Sequence, residues 1–154
     1  MVQRVVVEGL LGATISISAQ LPTTYDVAGY DVSSIIFTKI GEVENYGNHG
    51  MTAVITPFTP VETGVTTKVK GAKDYGTISL TMGNLPSNAG QALLKTAAES
   101  SARYSIEIRY PDNEYHYLEV LVSKLEYVDG AVNDVQKLNV DLAICRVPVI
   151  VPQV

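Results

Sequence analysis

The chain has one cysteine, no tryptophan and two histidines among 154 residues, and each scarcity removes a class of function. A lone Cys145 rules out an intrachain disulfide and any cysteine-based metal cluster. It sits in the apolar run Ala143-Ile144-Cys145, where it reads as a small buried hydrophobe, not a reactive thiol. Only His49 and His116 are available as near-neutral bases. His49 falls in a Gly47-Asn48-His49-Gly50 turn and reads as a solvated loop residue. His116, between Tyr115 and Tyr117, reads as a strand surface or interface residue. No Gly-x-Ser-x-Gly, His-Glu-x-x-His, phosphate-binding loop or dinucleotide fingerprint occurs. The carboxylates are spread singly, Glu42 and Glu44 being the closest same-face pair, and no His/Cys/Asp group has metal-ligand spacing. The expectation is a protein that is not an enzyme and has no catalytic, metal or cofactor residues.

Charge is also scarce. Asp, Glu, Lys and Arg make up 18% of the chain, the net charge is −5 and the pI is near 4.9. A tight grip on nucleic acid needs clustered Lys and Arg to neutralise phosphates, and this balance speaks against one. No apolar run approaches the ~18 residues of a membrane span. Glu8 interrupts the N-terminal apolar stretch, so no secretory leader is expected and the chain reads as cytosolic when made.

What is present is β patterning. Ile15 and Ile17 alternate with Thr14, Ser16 and Ser18; Ile78, Leu80 and Met82 with Thr77, Ser79 and Thr81. Tyr104, Ile106, Ile108 and Tyr110 alternate with Arg103, Ser105, Glu107 and Arg109; Leu138, Val140, Leu142 and Ile144 with Lys137, Asn139, Asp141 and Ala143. Each predicts a strand with one face on a core and one polar face. From Tyr115 to Tyr127 apolar groups fall on both faces, which predicts a central strand or a bulge. One helix is predicted over about Asn88–Ser100. Ser87 or Asn88 caps it, Ala89, Leu93 and Ala97, with Leu94 and Ala98 beside them, form its apolar stripe, and Gln91, Lys95 and Glu99 its polar face. Pro111-Asp112-Asn113 and Val128-Asp129-Gly130 predict turns. Pro148 and Pro152 bracket Val149-Ile150-Val151, predicting an edge strand or an arm. The pattern implies one mainly β domain over 1–154, an antiparallel β-sandwich or open barrel with one flanking α-helix.

The middle of the chain, about 44–74, is rich in Thr, Pro and Gly and reads as a long loop that contacts other subunits. Glu42, Glu44, Tyr46, Pro57, Phe58, Thr59, Val61, Lys68 and Lys70 are its candidate interface residues. Residues 1–12 and 147–154 are candidate terminal arms. Nine tyrosines against two phenylalanines favour covered, hydrogen-bonding surfaces, with self-association preferred to carbohydrate stacking.

The succession Thr24-Tyr25-Asp26-Val27-Ala28-Gly29-Tyr30, Ile40-Gly41-Glu42-Val43 and the Gly47–Gly50 turn resembles the major tail tube proteins of long non-contractile bacteriophage tails. Thr59-Pro60, Lys68-Val69-Lys70-Gly71, Asp74-Tyr75-Gly76-Thr77-Ile78, Asn88-Ala89-Gly90-Gln91-Ala92-Leu93-Leu94 and Tyr104-Ser105-Ile106 continue the resemblance across about Leu21–Ile144. It implies a virion subunit, made and assembled in the host bacterial cytoplasm. Such subunits form hexameric rings that stack into a tube, through which phage DNA passes without tight binding. Its implied partners are further copies of itself, a tape measure protein, a tail terminator and tail tip proteins. The tube protein of a contractile injection or type VI secretion-like system has a similar fold and is the alternative, ahead of a monomeric β-sandwich carbohydrate-binding module. Glu107 and Asp141, on polar strand faces, are candidate lumen residues.

Overall fold

A computed structural model describes residues 6–7, 9–30 and 35–152. The first half of the candidate N-terminal arm therefore lies outside the described residues, as do 153–154 of the C-terminal one. The strands are β1 (Thr14–Ser18), β2 (Thr38–Lys39), β3 (Val43–Asn45), β4 (Thr52–Phe58), β5 (Thr67–Asp74), β6 (Thr77–Gly83), β7 (Tyr104–Arg109), β8 (Tyr115–Val128), β9 (Lys137–Ile144) and β10 (Val149–Val151). One helical turn, α1 (Val27–Tyr30), and one helix, α2 (Ala89–Glu99), complete the fold.

The main sheet is antiparallel in the order β2-β1-β7-β8-β9-β6-β3, with β10 added to the start of β8. Laid flat, the outermost strands would stand about 29 Å apart at ~4.8 Å per step. Lys39 and Val43 are joined by four Cα steps, which reach at most about 14 Å. The chain leaves one edge of the sheet and joins the other within three residues, Ile40–Glu42. The sheet must therefore curl into a half-barrel, closed at this seam by covalent chain.

The alternation read from the sequence decides which face turns inward. Ile15, Ile17, Ile78, Leu80, Met82, Ile106, Ile108, Leu118, Val120, Leu138, Val140 and Leu142 are all buried in one core. β8 explains its own irregular pattern. Val122 pairs with Leu142 and Lys124 with Asp141, so one extra residue is accommodated at Ser123. The bulge exchanges the faces, putting even-numbered side chains inward before it and Leu125 inward after it.

α2 lies against this core through Leu94 and Ala97, with Leu93 and Ala98 partly covered. Asn88 is its N-cap, its Oδ1 accepting from Gln91 N at 3.0 Å. Here one expectation is corrected. Gln91, assigned to the solvent face, has no exposed surface at all. Its Nε2 donates to Gly41 O (2.9 Å) and Gly83 O (2.8 Å), and its Oε1 accepts from Leu85 N (2.9 Å). Asn88 Oδ1 accepts also from Gly41 N (3.2 Å). The start of α2 is thus a staple across the seam, and the buried stripe is Gly90, Gln91, Leu94 and Ala97: of the expected stripe Leu94 and Ala97 lie in it, Leu93 and Ala98 flank it, and Ala89 is exposed. Gly90 makes the approach possible, because a Cβ there would stand 2.3 Å from Lys39 O.

The opposite face of the sheet is divided. Residues 20–30 and 35–37, with β10, cover the part over β1, β7 and the start of β8. Tyr30 stacks on Tyr117 (4.9 Å, 11° between planes) beside Phe37, Tyr115, Val149 and Val151. This second small core absorbs several of the tyrosines expected at subunit contacts. Burial, with the Glu119 carboxylate adding to it, pushes the Tyr30 phenol up to about 12. Over β9 and β6 the outer face is open and polar.

The long loop expected at 44–74 is mostly a second, two-stranded sheet. β4 and β5 pair from Thr52↔Asp74 to Phe58↔Thr67, with an irregularity between Ala53 and Ile55. The sequence signs of a loop have other causes. Pro57 is tolerated because both strands of a hairpin are edges, and Gly71 lies at the irregularity, where Val54 O approaches.

Candidate functional site

Two surfaces of the described residues stand out: the projecting hairpin and the open polar strip of the sheet. The hairpin leaves the barrel at the end where β6 begins. Gly47, at φ +65°, lies so close to Ser79 that a Cβ would be 2.4 Å from its carbonyl oxygen. Tyr46 Oη donates to Ala13 O at 2.8 Å. Beyond this foot the hairpin has almost no contact with the domain. All eight β5 residues are exposed, as are Val54, Ile55 and Phe58 of β4 and Val61 and Val65 at the tip. Its order is internal: Thr59 and Thr66 hydroxyls meet at 2.8 Å, Thr67 Oγ1 donates to Phe58 O (3.2 Å) and Gly64 N to Pro60 O (2.9 Å). Apolar side chains gathered in water on a paired ribbon make the hairpin a candidate association surface.

The candidate interface residues distribute as follows. Pro57, Phe58, Thr59, Val61, Lys68 and Lys70 are all exposed on the hairpin. Tyr46 is not an open residue: it is half-buried against the core and tied to Ala13, and burial raises its phenol pKa. Glu42 and Glu44 do not form the expected same-face pair. Glu42 adopts φ +60° in the seam ahead of β3, while Glu44 pairs with Lys137 at 2.8 Å.

The open strip runs across the end of β8, β9 and β6. Asp141 Oδ1 accepts from Ser79 Oγ (2.8 Å), Thr81 Oγ1 donates to Asn139 Oδ1 (3.1 Å), and Lys124 pairs with Glu126 (2.9 Å). Its charges are mixed, Lys124 and Lys137 against Glu44, Glu126 and Asp141. Glu107 shares the face but not the openness. It is half-buried beside Val27, Tyr115, Tyr117 and Val151. Desolvation raises its pKa, against a hydrogen bond from Tyr117 and the nearby Arg109.

Three features escaped sequence reasoning. Glu119 is buried with both oxygens near guanidiniums: Arg103 Nη1 at 3.2 Å from Oε1, and Arg146 Nε at 2.8 Å from Oε2. The second contact lacks hydrogen-bond alignment and acts as an ion pair. Arg146 also lies over the Tyr25 ring, 3.9 Å from its centroid. The cluster fastens the segment before α1 to β8, and borders a cleft of about 540 Å³ at the hairpin foot lined by Tyr25, Lys73, Tyr75 and Cys145. Burial pushes the Cys145 thiol up, away from thiolate chemistry. The second is the Gln91 staple. The third is a contact between the two histidines: His49 Nε2 lies 2.9 Å from His116 Nδ1. His49 is thus half-buried, not a solvated loop residue. No signal in the sequence joins positions 67 residues apart.

No protein-family model matches the chain, and no curated protein matches its sequence. Solved structures do. A chain of the anti-feeding prophage baseplate superposes with a TM-score of 0.68 at 11% identity, over 98% of this chain and 97% of its own. A chain from the sheath/tube terminator of PVC, an extracellular contractile injection system, gives 0.69 at 11% identity over 96% and 98%. The SPP1 tail tube gives 0.61 at 11% identity over 92% and 77%. The fold is tail-tube-like. A mainly β chain, an antiparallel sandwich or open barrel with one flanking helix, was expected from the sequence; an antiparallel sheet curled into a half-barrel, with α2 against it, is observed.

Proposed function

We propose that the chain is a structural subunit of a bacteriophage-type tail, polymerising as stacked rings of six into a tube through which DNA leaves the particle. The observation that carries this is the β4–β5 hairpin: a tail-tube-like barrel extends an ordered ribbon whose Val54, Ile55, Phe58, Val61, Val65 and Val69 have nothing to cover them. A lone two-stranded hairpin is marginal in water, and a heterologous contact with the next copy supplies the missing cover. Such contacts repeat without self-complementarity, as rings and stacks require.

The open strip over β9 and β6 is the candidate bore surface, with Asp141 its carboxylate. Its mixed, slightly negative charge suits passage of DNA, since a basic wall would hold phosphates. Glu107, half-covered by its own chain, contributes less to such a surface. Partners of the tube, namely tape measure, terminator and tip proteins, belong to the same reading.

A contractile injection system is the second reading. The anti-feeding prophage and PVC chains match this one almost end to end, and SPP1 over 77% of its length. Negative-stain microscopy of the purified protein tests both: tubes of uniform bore are expected, and a protein that stays monomeric at high concentration would remove the proposal. Tubes that accept a coexpressed contractile sheath subunit would decide for the second reading.

A further inference from the structure

The chain has two histidines, and the fold brings them into one hydrogen-bonded row. Glu114 Oε1 lies 2.7 Å from His116 Nε2, and His116 Nδ1 lies 2.9 Å from His49 Nε2. The rings meet edge to face, with centroids 5.1 Å apart, and Tyr110 packs edge-on against His116 at 4.8 Å. His116 belongs to β8; His49 belongs to the segment that leads from the seam strand into the hairpin. Among the described residues, His49 makes the one side-chain hydrogen bond between Gly47 and Thr52. The imidazole contact is therefore what ties this stretch to the main sheet.

The row has a fixed capacity for protons. With Glu114 ionised, His116 Nε2 carries a hydrogen and donates it, leaving Nδ1 to accept from His49 Nε2–H. One added proton can be placed on His116 Nδ1 if His49 changes tautomer and accepts. A second cannot. It would set two N–H groups, on two cations, against each other at 2.9 Å. Around the pair, Tyr110 packs its ring on His116, Asp112 Oδ1 accepts from Glu114 N (3.1 Å), and Arg109 lies on the opposite face with Asn113 and Tyr115.

We propose that the His49–His116 contact is an acid-released latch that holds the foot of the β4–β5 hairpin to β8. Closed, it orients the hairpin; doubly protonated, it opens, freeing residues 48–51 while Tyr46 and Gly47 keep their own contacts with Ala13 and Ser79 and the barrel stays intact. Burial first, and the neighbouring His116 second, lower the His49 pKa from its ordinary 6.5. A group with a lowered folded pKa binds protons more readily in the open state, so the latch is stable above the ordinary value and lost as pH falls below it. The inference concerns the single subunit and holds whether or not it forms tubes.

NMR on the purified full chain tests it. Between about pH 7.5 and pH 5, cross-relaxation between the His49 and His116 rings is expected to fall about tenfold and the backbone of residues 48–51 to gain fast motion, while the cross-strand contacts of β7 and β9 persist. In His49→Gln the motion of residues 48–51 should be the same at both values. A ring contact kept at pH 5, equal loss in β7 and β9, or a pH response of residues 48–51 that survives in His49→Gln would overturn the latch. A titration of the wild-type imidazole resonances needs no variant. Two coupled steps, the lower one below the ordinary histidine range, are expected; two independent ordinary curves would overturn it.

Discussion

β5 and β6 are neighbours in the chain, separated by Tyr75 and Gly76, and of similar length. In β6 every second residue, Ile78, Leu80 and Met82, is buried. In β5 every residue is exposed. Both are paired strands, so backbone hydrogen bonding does not distinguish them. What differs is whether alternation gives one face something to bury. β6 stabilises the subunit it belongs to; β5 is held by its partner strand and turn, and offers its side chains to whatever lies outside. The fold thus places stability in the barrel and, under the proposed function, leaves association to the hairpin.

The sharpest way to break this division is from the barrel side. Leu94→Asp forces a charge into the helix–sheet contact and should cost about 5 kcal/mol, leaving much of the protein unfolded. Chemical denaturation measures it, and a variant that melts like wild type would show that α2 does not seal the core. Gln91→Ala should cost about 3 kcal/mol, because Gly41 O, Gly83 O and Leu85 N lose their partner together. The same melt reads this, and a change under about 1 kcal/mol would mean that water replaces the staple. On the hairpin the expectation reverses. Phe58→Ser with Val69→Ser should leave the melt within about 0.5 kcal/mol of wild type yet abolish tubes in the microscope. Normal tubes would move association elsewhere. The smallest effect is expected at Asp141→Lys, which loses one exposed hydrogen bond with Ser79 and should assemble normally. Particles carrying it should eject DNA more slowly at low salt, the defect easing as salt rises. Ejection at the wild-type rate would place the strip outside the bore.

The same contrast explains what could be read in advance. β1, β6, β7 and β9 were legible to within a residue or two because each has one dry face. The doubled apolar pattern of β8 was legible as a central or bulged strand, and it proved to be both. α2 was legible in extent, since Asn88 caps it where expected. β4 and β5 were not, because a ribbon wet on both faces leaves no alternation, and Pro57 and Gly71 imitate breaks. Gln91 was misplaced for a related reason. Periodicity sorts by polarity, and a glutamine that satisfies three backbone groups is polar and buried at once. Within the candidate site, the exposed tip residues from Pro57 to Val61 were legible as accessible chain. The Glu119 cluster and the imidazole pair depend on strand register, which composition does not carry.

The seam at Ile40–Glu42 also has a consequence in time. β2 and β3 are consecutive in the chain, yet they dock on opposite edges of a sheet whose β1–β7 pairing joins Ser16 to Glu107. Each pairs with a single strand, β2 with β1 and β3 with β6, but both pairings close the ring only once the intervening strands have assembled, so closure belongs to the end of folding, after slow non-local pairing. Changes at Asn88 or Gly41 should accordingly hasten unfolding while leaving the folding rate nearly untouched, the kinetic mark of contacts absent from the transition state. A nascent subunit would then pass most of its folding time with its hoop unfastened.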